Sequence, residues 1–91
     1  MSPAPSYSRV WVLTNVVGEM RPDTNVFGSF DGMVRAARQI VEAFPAYLPS
    51  IPATLDDLTE NQVEADTVTI VYCMDPEAPA SLVFEHQHVQ P

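Results

Sequence analysis

The chain has 91 residues, 46% of them hydrophobic, enough for one small core. At this length roughly 60–65% of the unfolded surface is buried, which leaves little room for a deep active-site cleft. Twelve acids against four bases give a net charge of −8, and every base is an arginine: Arg9, Arg21, Arg35 and Arg38. Residues 39–91 hold no Lys or Arg but nine acids, from Glu42 to Glu85. Such a field argues against direct binding to nucleic acid or to an anionic membrane, which needs Lys or Arg to displace counterions, and it suits a basic protein partner. Acidity of this size also keeps a small domain soluble.

Residues 1–7 lack a basic and an apolar region and read as a flexible lead, with a single α+β domain over 8–91. Arg9 to Val17 is β-branched and aromatic almost throughout, which predicts strand β1. Both its faces are apolar, Val10, Val12 and Val16 on one and Trp11, Leu13 and Val17 on the other, so a central position is expected. Gly18 to Asn25 reads as a turn and Val26 to Phe30 as a short strand β2 at an edge. Over residues 31–44 the period changes: Met33, Ala36, Ala37, Ile40, Val41 and Phe44 recur at helical spacing, with Arg35, Arg38, Gln39 and Glu42 opposite. Ser29 or Asp31 suits the N-cap, and Pro45 stops the helix.

Pro45, Pro49 and Pro52 predict an extended, polyproline-like connector. Thr54, Asp56 and Asp57 then suggest a capped short helix over about 55–62. Asp66 to Met74 predicts strand β3, with Val68, Ile70, Tyr72 and Met74 on one face and Thr67, Thr69, Val71 and Cys73 on the other. Asp75 to Pro79 predicts a turn, and Ser81 to Val89 predicts β4. The expected fold is thus α+β: a four-stranded antiparallel sheet in the order 2-1-3-4, with topology ββα(α)ββ. A right-handed crossover through the main helix would set β2 parallel to β3 with β1 between them, and β1 and β3 would be central. One main helix covers one side of the sheet. The other side is covered either by residues 45–63 or by a second copy, and a homodimer is expected.

Candidate chemistry is sparse. His86 and His88 share a face of β4, but Glu85 points away, so no third metal ligand is fixed and the pattern predicts no metal site. Cys73, the lone cysteine, fits a reducing compartment and reads as a small core residue rather than a nucleophile. Asp56, Asp57 and Glu60 lack the spacing of a calcium loop and read as a solvated helix face. Arg35 and Arg38 lie on one helix face, where they can meet a partner's carboxylates. Trp11 reads as core, or as an interface anchor if partly exposed. With no phosphate-binding loop, dinucleotide motif, C-x-x-C, H-E-x-x-H or G-x-S-x-G, no catalytic residue and no cofactor is expected. No run of about 18 apolar residues suggests a membrane span.

Val10-Trp11-Val12-Leu13-Thr14, a loop, and then Val26-Phe27-Gly28-Ser29-Phe30 opening a helix resemble a class of small bacteriophage and bacterial proteins, mostly of unknown function. In that class a V-Y/W-V-L-T strand leads to a G-x-F-S/D helix start. The likeness covers residues 10–44; the C-terminal half departs from it, since the class has a shorter, more polar link before the second hairpin. The resemblance implies a phage or prophage accessory protein acting in the host cytoplasm, and it carries over no functional residues. Together these readings point to a non-enzymatic, acidic protein-binding module that modulates a host protein or host defence. An acidic surface of this kind can imitate phosphate charge and block a basic, nucleic-acid-binding surface. The alternatives are a structural homo-oligomer and a small metal- or ligand-binding domain built on His86 and His88.

Overall fold

The computed structural model describes residues 8–44 and 47–89; the lead expected at 1–7 lies outside them. Four antiparallel strands, β1 (Ser8–Val17), β2 (Asp23–Phe27), β3 (Val68–Cys73) and β4 (Ala80–Val89), form one sheet in the order β2-β1-β4-β3. Three helices join β2 to β3: α1 (Phe30–Ala43), α2 (Ile51–Asp57) and α3 (Glu60–Ala65).

The expected order of the last two strands is therefore reversed. β4, not β3, lies beside β1, paired from Ser8↔Val89 to Val17↔Ala80. Both are ten residues long, whereas β3 has six, so the pairing of the long strands satisfies the most backbone groups. β2 and β3 occupy opposite edges and run antiparallel to one another. The helical segment consequently spans the width of the sheet instead of making the expected parallel crossover. β1 is central as expected; β3 is a rim strand, and its outward residues Thr69 and Val71 are exposed.

Register decides which side chains meet the helices. On the helix side, Leu13 faces Phe84 and Asn15 faces Leu82 across the central pair, with Val68 and Ile70 extending these rows onto β3. Phe84, Leu82, Leu13 and Tyr72 are fully buried there. A bulge between Val71 and Cys73 breaks the expected alternation of β3 and buries both Tyr72 and Cys73. Met74, expected to share a face with Tyr72, is instead 72% exposed. The buried Tyr72 hydroxyl donates to Asn15 Oδ1 at 2.6 Å. Burial raises its pKa, so the phenol remains a neutral donor.

Helix α1 lays Phe30, Met33, Ala37 and Val41 on this surface. Ser29 is the N-cap, its side chain accepting from the Gly32 N–H at 3.0 Å. Phe44, which precedes Pro45, ends the helix in extended backbone. The polyproline-like connector is not observed over its second half. Pro52 instead sits in the first turn of α2, where the missing N–H is no loss. The capping box is Thr59–Gln62, at the start of α3, rather than at Thr54. Thr54 lies within α2, its hydroxyl donating back to the Ser50 carbonyl. Ile51, Leu55 and Val63 join the same core cluster as α1. Residues 47–65 thus thicken the covered side and do not cross to the other one. At one end of the sheet the two hairpin turns meet. Gly18, at φ +51°, donates its N–H to the Pro79 carbonyl at 2.7 Å.

Replacing Phe84 by Ala removes the centre of this packing and is expected to cost about 3–5 kcal/mol, whereas Thr69→Ala at the exposed rim stays within about 0.5 kcal/mol. Urea denaturation of the two variants measures the difference.

Candidate binding surfaces

Two places stand out, one on each side of the sheet. The first is an open basin of about 530 Å³ on the helix side, lined by Arg9, Glu64, His86 and His88. It lies where the ladder continues past the core. Arg9↔His88 and Trp11↔His86 are the register pairs there, and α3 supplies Glu64. The His86 ring sits 4.6 Å from the Trp11 ring and 4.7 Å, almost perpendicular, from His88. The Arg9 guanidinium lies 5.6 Å over the Trp11 ring and pairs with the Glu64 carboxylate. Its Nε–H donates to His86 Nε2 at 3.2 Å, which requires that nitrogen to be unprotonated. Desolvation, then the neighbouring His88 and Arg9, push the His86 pKa below its ordinary 6.5; Glu60 pulls the other way.

The i, i+2 spacing of His86 and His88 does bring the two imidazoles to one face. Among the described residues, however, no group of three or more His, Cys, Asp or Glu is placed to hold a metal ion. Cys73 pairs with Ala80, at the opposite end of β4, and is buried. Arg9 and Glu64 escaped the sequence reading because they stand 77 and 55 residues from their partners His86 and Arg9, and no local signal joins them.

The remaining candidate residues scatter over the helix layer. Arg38 pairs with Asp56, and both line a shallow groove of about 310 Å³ with Arg35. Asp57 borders a separate hollow with Gln62 and Val68, and Glu60 lies near His86. Trp11 is only 4% exposed and packs edge-on against Phe30 at 5.3 Å, so it offers a partner almost no surface.

The second place is the far face of the sheet. Alternation puts Val10, Val12, Thr14 and Val16 of β1 there, with the residues that register opposite them. Its rows include Val10–Gln87, Val26–Val12–Glu85, Thr24–Thr14–Val83–Thr69 and Val16–Ser81–Val71. Its valines are absent from the core cluster and from the residues packed on it, but Val12, at the centre, is buried at 8% exposure and Val10, Val16 and Val83 are half-buried. Val26 and Val71 are 62% and 45% exposed. Of the charged strand residues, Arg9 and Asp23 register onto the helix side, leaving Glu85 alone on this face.

No family model, curated protein or solved structure matches the chain. No helix among the described residues is long and apolar enough to cross a membrane.

His86 should titrate by NMR below 6.5, and His88→Gln, which removes a neighbouring imidazole, should move its midpoint upward. Because the folded pKa is the depressed one, the unfolded chain takes up the proton first. His86 therefore costs stability as pH falls from about 6.5 toward its folded value, and the loss levels off below that. In His86→Gln this part of the pH dependence of urea unfolding should disappear.

Proposed function

We propose that the chain is a non-enzymatic, acidic protein-binding module that docks through the far face of its sheet. The observation that carries this reading is the distribution of charge. A protein with net charge −8 keeps that face free of charged strand residues apart from Glu85 and fills it with β-branched side chains. Antiparallel sheets with one solvated face ordinarily alternate apolar inward and polar outward. Here the outward positions include Val10, Val12, Val16, Val26, Val71 and Val83. Val26 and Val71 are exposed and Val10, Val16 and Val83 partly so, with Val12 buried among them; exposed apolar surface depleted of charge is the composition of an interface centre.

The helix layer presents Asp57 and Glu60 to solvent and is the side a basic partner would meet. A phage origin, with modulation of a host protein or host defence in the host cytoplasm, rests on the resemblance of residues 10–44. The basin around Arg9 and His86 favours a second reading, a small ligand-binding domain. Zinc that shifts neither the melting temperature nor the His86 and His88 resonances would remove its metal-binding form.

A photo-crosslinking amino acid placed at Val26 or Val71 should yield a discrete protein adduct in expressing cells, to another copy or to another protein. The same probe at the turn residue Glu77 should not. Failure of both strand positions to give an adduct would overturn the docking reading.

A further inference from the structure

We infer that the occupant of the far sheet face is a second copy of this chain, packed face to face about a two-fold axis. This rests on the docking reading above and names its partner. Charge complementarity is the first argument. A basic partner seeks carboxylates, and this face offers only Glu85, so its counterpart must itself be nearly uncharged. The same face of another copy meets that condition. A symmetric dimer needs one self-complementary patch, and rows of valine flanked by threonine can interdigitate with their own image.

Area is the second argument. With strands about 4.8 Å apart and about 3.4 Å per residue, four strands of these lengths make a flat footprint of roughly 500 Å² before side-chain relief. That approaches the lower end of specific interfaces, about 600 Å² per partner. Twisted sheets pack in this manner at about 10 Å separation, close enough to exclude water from Val26, Val71 and Val83. The modest area and the buried Glu85 carboxylates predict a weak, reversible dimer.

The two rim strands give the test its discrimination. Val26 lies on β2 and Val71 on β3, at opposite edges. A dimer formed by edge pairing of one strand would feel only one of these positions; a face-packed dimer feels both.

Sedimentation velocity of the purified chain from about 1 to 500 μM should show conversion from one-chain to two-chain mass. Val26→Asp and Val71→Asp should each hold the protein at one-chain mass with unchanged circular dichroism. Val83→Thr, which keeps the shape and strand propensity of valine, should weaken the dimer at least several-fold should either aspartate variant unfold. Glu85→Gln should shift the transition to several-fold lower concentration, whereas Glu77→Gln should leave it in place. One-chain mass at every concentration overturns the inference, as does a dimer sensitive to only one of Val26 and Val71 or indifferent to Val83→Thr. A monomer that still crosslinks from Val26 to a different protein in cells sinks the second copy and leaves the docking reading standing.

Discussion

The ten-residue antiparallel pairing of β1 with β4 is the constraint on which the rest of the structure depends. It sets Leu13 against Phe84 and Asn15 against Leu82, and so creates the apolar floor on which all three helices rest. The two hairpins are arranged about this pair in the same way, each giving its long strand to the centre and its short strand to an edge. The Tyr72–Asn15 hydrogen bond ties the β3 rim across β4 to the centre, and the Leu48 N–H donates to the Tyr72 carbonyl from the connector. Part of the β3 edge is thereby occupied, which lowers its capacity to pair with another chain.

Coverage of the sheet is one-sided because every apolar stripe in the helical segment faces the same way. Phe30, Met33, Ala37 and Val41 of α1, Ile51 and Leu55 of α2 and Val63 of α3 meet a single cluster. Nothing apolar is left among these helices to reach the other face. Fourteen residues of α1 lie along the sheet, and the short helices fill the remaining width. The result is a two-layer molecule with an acidic helical exterior and a sheet exterior of valine and threonine. Face-to-face pairing of the sheets would turn the two helix layers outward and leave their carboxylates accessible.

β1 and α1 were legible in the sequence because their signals are local. Four valines, a tryptophan and a threonine among the nine residues Arg9 to Val17 show no helical period, and the 3.6-residue recurrence from Met33 to Val41 allows no strand. That both faces of β1 are apolar was legible for the same reason, through the alternation of Val10, Val12 and Val16 with Trp11, Leu13 and Val17. The strand order was not. By composition β3, Val-Thr-Ile-Val-Tyr-Cys, looks more interior than Glu85-His86-Gln87-His88, yet length and register put β4 inside. The bulge at Tyr72 is equally invisible, since it arises from pairing rather than from any glycine. Placing Pro52 in a linker failed because proline is as compatible with a first helical turn as with an extended chain. Of the candidate site, the shared face of His86 and His88 followed from spacing alone, while Arg9 and Glu64 arrive only through the tertiary fold.

The two surfaces also defend one another through register. Along the outer half of β4, Glu85 and Gln87 alternate with His86 and His88, so neighbouring residues belong to opposite sides of the sheet. A slip of one residue between β1 and β4 would exchange the two sets. Glu85 would then enter the basin beside the Glu64 carboxylate, adding a like charge next to the Arg9–Glu64 pair. Val83 would replace Phe84 at the centre of the core, and Phe84 and Leu82 would emerge on the open face. Either consequence is unfavourable by itself, and the same displacement imposes both. The open face can therefore be rich in valine without leaving the pairing ambiguous. Identical apolar residues on both sides of β4 would permit slippage, whereas a carboxylate on one side and two imidazoles beside an arginine on the other do not.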